Sequence, residues 1–305
     1  MNAQLDAWRA SVEKALDLHL SAEPPVGLVE AGRFSLLGNG KRVRALLVLA
    51  AAYDLGADPD VAMNGACAIE MVHAASLVLD DLPCMDDALH RRDRETTHRA
   101  YGQSTAILCA IGLIARAFEL VADAPLLTPE TRSRMAANLA EAIGYAGLTG
   151  GQYDDLLIKS GHKDWQELEG LYMRKTGVLF SLSLEFGAMA ANAERTDLKK
   201  LSDAGAKLGI AFQLIDDLLD ACASREAVGK DVRKDIERTT AVSLHGVQGT
   251  MREADALKAE ARSGLAEILG DNATIGLVDW MSDYVVSRVG ARVAPSAPAQ
   301  RLAEH

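Results

Sequence analysis

The sequence is poor in cysteine, in aromatic residues and in strand-forming patterns. Four cysteines occur in 305 residues, and Cys67, Cys84, Cys109 and Cys222 form no CxxC pair. Cysteines this sparse do not build a disulfide framework, so a reducing, cytoplasmic location is expected. Aromatic residues make up 5% of the chain, and no alternation of β-branched residues runs between hairpin turns, which argues against a β-sheet protein.

Long apolar segments and excess positive charge are also missing. No run of about 18 consecutive apolar residues occurs, so no segment is expected to span a membrane. Residues 1–20 carry five charged side chains, which excludes the apolar core of a signal peptide. Asp and Glu number 43 against 32 Lys and Arg, a net charge of −11. This balance disfavours nucleic-acid binding and favours a protein that gathers metal cations, provided the acids cluster.

Apolar residues recur with a helical period through most of the chain. The clearest stretch is 198–220, and comparable stretches occupy residues 3–20, 41–55, 60–85, 96–123, 129–147, 164–190 and 274–289. Thr128-Pro129 marks one helix start, and Ser35 or Asn39 is expected to cap the helix that follows it. The sequence therefore predicts a single all-α domain over residues 1–290, a large bundle of ten or more helices, with a disordered tail at 291–305.

A first acidic cluster, Asp80-Asp81-Leu82-Pro83-Cys84-Met85-Asp86-Asp87, directly follows an apolar helical stretch. Four carboxylates this close repel one another and are costly unless cations neutralise them. Asp80 and Asp86 would lie well off one face of an ideal helix. Pro83 therefore predicts a distortion that brings Asp86 round towards Asp80.

A second acidic cluster, Gln213-Leu214-Ile215-Asp216-Asp217-Leu218-Leu219-Asp220, lies on an amphipathic helix. Carboxylates one turn apart, such as Asp216 and Asp220, can hold Mg²⁺ together with substrate phosphates. A solvated acidic face would explain either cluster alone. Two clusters that both open from apolar helices favour a site for metal and diphosphate.

A diphosphate site also needs cations for the phosphate oxygens, and four basic segments could supply them. They are Gly40-Lys41-Arg42-Val43-Arg44, Arg91-Arg92, Lys175-Thr176-Gly177 and Gly229-Lys230-Asp231. The first of them marks a helix start, where backbone N–H groups and the helix dipole favour anions. His73 lies two turns before Asp80 on the same face, and either a core histidine or a substrate contact fits this position.

Taken in order, these motifs resemble those of the trans-isoprenyl diphosphate synthases, the polyprenyl synthetase family, and most closely its bacterial geranylgeranyl and farnesyl diphosphate synthases. The resemblance runs from about residue 35 to 250 and also includes Glu70-x-x-His73 and Gly151-Gln152-x-x-Asp155. It implies an isoprenoid synthase fold around a deep central cavity. It also implies a homodimer formed through helices near 96–147.

The resemblance further implies a role for each site residue. The expected catalytic residues are Asp80, Asp81, Asp86, Lys175, Asp216 and Asp217. The expected ligands of three Mg²⁺ ions, or of Mn²⁺, are Asp80, Asp81, Asp86, Asp216 and Asp220. Isopentenyl diphosphate would be held by Lys41, Arg44, His73 and Arg92. The allylic diphosphate (dimethylallyl, geranyl or farnesyl) would be held by Arg91, Lys175, Thr176, Gln213 and Lys230.

The implied reaction is a head-to-tail condensation. The allylic C–O bond ionises, the double bond of isopentenyl diphosphate attacks the cation, and a proton is lost, while cations stabilise the departing diphosphate. The floor of the product tunnel would be Ala75, the fifth residue before Asp80, with Ser76 beside it. Because both are small, a C20 geranylgeranyl product is expected. A C15 farnesyl product is the alternative if a side chain from 104–118 blocks the tunnel.

One segment departs from the family pattern: Asp93-Arg94-Glu95 replaces the usual Gly-x-Pro after Arg91-Arg92. Three rival interpretations remain. A terpene cyclase would carry an Asn/Ser/Glu metal triad in place of the second cluster. A catalytically silent regulatory subunit would tend to lack one cluster. A purely structural scaffold would show no dependence of its stability on cations.

Overall fold

The computed structural model describes residues 3–20, 25–38, 40–91, 94–157, 164–227 and 239–281, with backbone alone for residues 222–227. In chain order the helices are α1 (Ala3–His19), α2 (Val26–Leu36), α3 (Val43–Asp54), α4 (Pro59–Asp80), α5 (Thr97–Tyr101), α6 (Gln103–Ala122), α7 (Pro129–Ile143), α8 (Leu148–Leu157), α9 (Trp165–Tyr172), α10 (Val178–Ala190), α11 (Arg195–Ala227) and α12 (Ala241–Leu269). A π-helical turn (Met173–Gly177) joins α9 to α10, and residues 273–281 are also helical. The predicted all-α fold class is confirmed.

The centre of the bundle is formed by helices that are apolar on every side. In α3, all eight residues from Ala45 to Ala52 are fully buried, and α4 and α10 are buried along most of their length. Helices without a polar face are stable only when other helices surround them. This buried centre fixes α3 and α4, whose ends carry the basic segment at Gly40 and the first acidic cluster.

A two-stranded antiparallel hairpin follows the first acidic cluster. Its strands are β1 (His90–Arg91) and β2 (Arg94–Glu95), and they pair His90 with Glu95 and Arg91 with Arg94. The hairpin occupies the segment in which the sequence departs from the family pattern. Arg94 extends from it over the ring of Phe34, with 4.1 Å between the guanidinium carbon and the ring centroid.

Several predicted helix boundaries are wrong. The stretch 60–85 ends as a helix at Asp80, because the chain turns back at the acidic cluster. The stretch 96–123 is two helices, interrupted at Gly102, whose φ of 87° is not helical. The predicted stretches also omit α2, α8 and α12. In α12 the apolar period is broken by a kink at Gly246, where φ is 66°.

One of the two predicted helix caps is confirmed. Thr128 accepts a hydrogen bond from the N–H of Thr131, with Pro129 at the first helical position. The prediction for Ser35 is wrong, since this residue lies inside α2 and its hydroxyl donates to the carbonyl of Gly32. The residue before α3 is instead Arg42, in the left-handed conformation with φ of 56°. Asn39 lies outside the described residues.

Two helices are long and apolar enough, by length and composition, to cross a membrane. This differs from the expectation above, which counted only uninterrupted runs of apolar residues. The two helices are α4 and α6, and 67% and 39% of their respective apolar windows are buried inside the bundle. A core helix of a folded bundle meets the same criterion, so their composition does not show a membrane span.

Candidate active site

The first acidic cluster folds back on the end of α4. The backbone N–H of Asp86 donates to the carbonyl of Asp80 at 2.9 Å, and that of Ala88 donates to the carbonyl of Asp81 at 3.3 Å. Asp86 is therefore brought round to Asp80, as Pro83 predicts. Burial raises the pKa of Asp80 to about 6; the nearby Lys175 lowers this pKa, and Asp86 raises it further.

Asp81 is held by an arginine of the hairpin. Its buried carboxylate accepts two hydrogen bonds from the Nε of Arg91, at 2.8 and 3.0 Å, and the Nη2 of Arg91 lies 2.7 Å from its Oδ1. The pairing of β1 with β2 aligns Arg91 for this contact. Arg91 is predicted to bind the allylic diphosphate, and in this structure it also neutralises the second aspartate of the cluster.

The second acidic cluster lies on α11 and shares one basic neighbour, Arg91, with the first. Asp216 is exposed on α11, but the surrounding protein displaces part of its hydration, which raises its pKa to about 6. Asp220 and Asp217 raise this pKa further, whereas the positive charges of Arg44 and Arg91 lower it. The charge of Arg91 acts on both Asp80 and Asp216. The two clusters therefore face a common space.

Asp217 has different surroundings from its neighbour Asp216. Its carboxylate accepts hydrogen bonds from the hydroxyl of Tyr172, from the N–H of Ala241 at 3.1 Å and from the amide of Gln213 at 3.3 Å. These donors come from α9, the start of α12 and α11. Asp217, predicted to be catalytic, thus joins three helices around the site.

The basic segment at Gly40 brings Arg44 to one edge of this space, where its charge acts on Asp216. Arg44 lies over the ring of Phe180 at 4.6 Å, with its Nη1 3.4 Å from the Nε2 of His73. His73 therefore contacts Arg44, a residue predicted to bind substrate, rather than packing only in the core. The ammonium of Lys41 lies 5.8 Å from the centroid of the Trp280 ring.

The N-terminus of α3 already holds a protein anion. The buried carboxylate of Glu70 accepts from the N–H of Ala45 at 3.2 Å and pairs with buried Arg42 at 3.5 Å. The N–H of Ala45, one of the groups expected to bind a substrate anion at this helix start, is thus already occupied by Glu70. Arg42 thus anchors to α4 the segment that carries Lys41 and Arg44, the two residues predicted to bind substrate.

The π-helical turn presents Lys175 and Thr176 to the same space. Lys175 donates to Asp155 on α8 at 2.5 Å, and Thr176 donates to Gln213 on α11 at 2.8 Å. Gly151 makes the first contact possible, since a Cβ there would lie 2.6 Å from the backbone nitrogen of Lys175. A π-helical turn inside a longer helix is frequently found at functional sites.

Not every predicted site residue can be placed. Arg92, Lys230 and the predicted tail at 291–305 lie outside the described residues. Sequence reasoning assigned no role to Asp155, Glu70 or Tyr172, which hold Lys175, Arg42 and Asp217. Asp155 and Glu70 belong to motifs that marked them as candidates. Tyr172 stands in an ordinary helical pattern that gives no such signal.

The donor set fits a magnesium site that substrate completes. Within the described ranges, no three His, Cys, Asp or Glu side chains approach closely enough to enclose a metal ion. Mg²⁺ is usually held by one or two carboxylates, several waters and substrate phosphates rather than by a protein cage. Asp80, Asp86 and Asp216 would supply carboxylates of this kind, and Lys41, Arg44 and Lys175 would supply charge for the phosphates.

The structure thus combines an all-α bundle with two acidic clusters and with basic side chains near both of them. The profile of the polyprenyl synthetase family matches residues 28–272, and the chain belongs to that family. Its members are prenyltransferases that act on isoprenoid diphosphates.

Similar proteins come from plants and bacteria. Geranylgeranyl pyrophosphate synthase 12, chloroplastic, of Arabidopsis thaliana is 36% identical, covering 91% of this chain and 79% of its own length. Geranylgeranyl diphosphate synthase of Pantoea ananas is 42% identical over 78% of each chain. The crystal structure of an FPP/GFPP synthase from Zymomonas mobilis is 30% identical, has a TM-score of 0.81 and covers 93% of this chain and 97% of its own.

Proposed function

We propose that this prenyltransferase condenses isopentenyl diphosphate with dimethylallyl, geranyl and farnesyl diphosphates to give geranylgeranyl diphosphate. The observation that carries this proposal is that Arg91 lies near carboxylates of both acidic clusters. Two further basic residues lie nearby, Lys175 beside Asp80 and Arg44 beside Asp216. The likeness to geranylgeranyl diphosphate synthases of plants and of Pantoea ananas supports the C20 product. Both acidic clusters are complete in the sequence, which disfavours a terpene cyclase and a silent subunit.

The basic residues divide between the two substrates. Arg44 and His73 lie in contact with each other on α3 and α4, and with Lys41 they would hold the diphosphate of isopentenyl diphosphate. Lys175, Thr176 and Gln213 would hold the allylic diphosphate. Fixed positive groups at the leaving diphosphate stabilise the charge that develops as the allylic C–O bond breaks.

Asp80, Asp86, Asp216 and Asp220 are the side chains proposed to hold Mg²⁺. The bound ions would supply positive charge that neutralises the leaving diphosphate. Asp81 and Asp217 would act differently, because Arg91 and Tyr172 already hold their carboxylates in fixed positions. Lys175, tethered by Asp155, would keep its ammonium directed at the phosphate oxygens.

The product length is proposed to depend on Ala75. This residue is fully buried on α4, five residues before Asp80, and its neighbour Ser76 donates a hydrogen bond to the carbonyl of His73. In this proposal, the methyl side chain of Ala75 is small enough to let a C20 tail extend past it. A C15 product is the second candidate, because the similar structure from Zymomonas mobilis is described as an FPP/GFPP synthase.

The test is mass spectrometry of the products formed with Mg²⁺, isopentenyl diphosphate and each allylic primer. The wild type is expected to give mainly C20, and Ala75→Tyr mainly C15, because the tyrosine ring would stop the growing chain. Ala75→Ser, which barely changes the volume, is the matched control and should keep C20. A wild type that stops at C15, with no change in Ala75→Tyr, contradicts the C20 assignment.

We also propose a homodimer and a cytoplasmic location. The exposed face of α6 carries the large apolar side chains Ile107, Leu108 and Ile111, which are 41%, 54% and 57% exposed. An apolar row of this kind on a long helix fits a subunit interface. Cys67, Cys84 and Cys109 are free thiols, which fits a reducing compartment.

A further inference from the structure

The helix at residues 273–281 runs along α3 in the opposite direction. At its start, Asp54 accepts from the N–H groups of Ala273 and Thr274, at 3.1 and 2.7 Å, so a side chain from the end of α3 caps it. Seven residues later, Trp280 meets Lys41, which lies just before the start of α3. The helix thus carries Trp280 about 10 Å from Asp54 towards the opposite end of α3.

The contact between Trp280 and Lys41 is of a kind that preserves charge. The ammonium lies 5.8 Å from the ring centroid, within the range of a cation–π interaction. An aromatic face attracts a cation without cancelling its charge, whereas a carboxylate partner neutralises it. The adjacent Arg42 shows the contrast, since the buried carboxylate of Glu70 pairs with it.

Arg44 has the same kind of neighbour. Its guanidinium lies 4.6 Å from the centroid of buried Phe180. The two basic residues of this segment that are predicted to bind isopentenyl diphosphate therefore each lie against an aromatic ring. Arg42, which anchors the segment, pairs with an acid. Aromatic faces restrict where the cations point, and the rings themselves do not cancel the positive charge.

We propose that Trp280 is a positioning residue of the isopentenyl diphosphate subsite and that it acts through Lys41. This inference rests on the proposed function, since it takes Lys41 as a ligand of that diphosphate. Asp54 supports the arrangement by fixing the start of the helix that carries Trp280. The ring limits the rotamers and the hydration of the Lys41 side chain, so less freedom is lost when the diphosphate binds.

Steady-state kinetics of purified variants test the proposal. In Trp280→Leu, the KM for isopentenyl diphosphate is expected to rise about 5-fold, the size of effect that loss of a cation–π contact gives. The KM for the allylic diphosphate and kcat should stay within about 2-fold of the wild type. Trp280→Phe, which keeps an aromatic face, should restore most of the affinity. Trp165→Leu, a change on α9 at a ring that contacts His245, is the matched control.

A double-mutant cycle separates action through Lys41 from a general structural role. In a Lys41→Met background, adding Trp280→Leu should change the KM for isopentenyl diphosphate less than 2-fold. An equal further rise in that background, or an unchanged KM in Trp280→Leu alone, overturns the proposal while the function stands. Should Trp280→Leu fail to fold, Trp280→Met, which keeps a longer side chain but no aromatic face, replaces it in both backgrounds and is judged by the same criteria. A wild type that does not consume isopentenyl diphosphate overturns the proposed function and this inference together.

Discussion

At the scale of single residues, the carboxylates of the two clusters differ in what surrounds them. Arg91 neutralises Asp81, and three hydrogen-bond donors hold Asp217. Burial raises the pKa of Asp217 as well as those of Asp80 and Asp216, and the pKa values of Asp80 and Asp216 reach about 6. In the protein without metal, these two charges oppose folding above pH 6. Such energetic strain is typical of residues kept for binding rather than for stability.

The prediction at this scale is that Asp80→Asn stabilises the metal-free protein. The pKa of Asp80 in the folded state, about 6, exceeds the unfolded value near 3.9, so the folded state binds more protons between these pH values. Its contribution to the free energy of unfolding therefore falls as the pH rises from 4 to 6. At pH 7.5, in a chelator, urea unfolding should show a gain of about 1 kcal/mol for Asp80→Asn.

Two comparisons check the cause of that gain. At pH 4 it should disappear, because the wild-type carboxyl is then protonated. Asp87→Asn, a change at an exposed member of the same cluster, should stay within about 0.5 kcal/mol of the wild type. Loss of stability in Asp80→Asn at pH 7.5 would show that this carboxylate makes a favourable contact in the absence of metal.

At the scale of elements, the site depends on close approach between helices. A Cβ at Gly209 on α11 would lie 2.5 Å from the Cα of Gly177 at the end of the π-helical turn. One turn further along α11, Gln213 accepts from Thr176. The two glycines thus allow the backbone contact that brings the turn and the second acidic cluster together.

We predict that Gly209→Ala forces these elements apart. The added methyl group meets backbone, which cannot move aside as a flexible side chain can, so the free energy of unfolding should fall by about 2 kcal/mol. Activity at saturating substrate should fall as well, since Thr176 and Gln213 separate. Denaturant unfolding and turnover are the measurements. Gly27→Ala on α2, where a Cβ meets nothing within 4 Å, is the control, expected within about 1 kcal/mol of the wild type.

At the scale of the whole molecule, α6 joins the buried core to an apolar surface. One face of the helix is buried against the bundle, through residues such as Ala106 and Leu113. The other face exposes Ile107, Leu108 and Ile111. A helix apolar on both faces fits a bundle that continues into a second subunit, because water disfavours an exposed apolar row of this length.

The prediction at this scale is that Ile111→Glu shifts the protein to a monomer. A carboxylate at the centre of an apolar interface would lose its hydration without gaining a partner. Light scattering after size exclusion should report twice the chain mass of 32.5 kDa for the wild type and the chain mass for the variant. Leu18→Glu, at an equally exposed leucine of α1, should leave the dimer intact. A monomeric wild type would contradict the proposed interface.

Much of the fold followed from the chain alone. The helical period predicted α1, α3 and α7 closely, because one buried face repeats every three or four residues whatever the helix packs against. It failed for α12, where Gly246 breaks the period, and at Gly102, where a single positive φ divides a continuous apolar stretch. The spacing of apolar residues does not report the backbone conformation of a single glycine.

The sequence by itself identified the two aspartate clusters and the basic segments as candidates for one site, since carboxylates this close repel one another unless cations neutralise them. Only the tertiary structure decided which partner each one meets. Arg91 lies 10 residues from Asp81, Asp155 lies 20 from Lys175, and Tyr172 lies 45 from Asp217. Such pairings depend on how helices cross, and helix crossing is set by the packing of whole faces rather than by spacing along one segment.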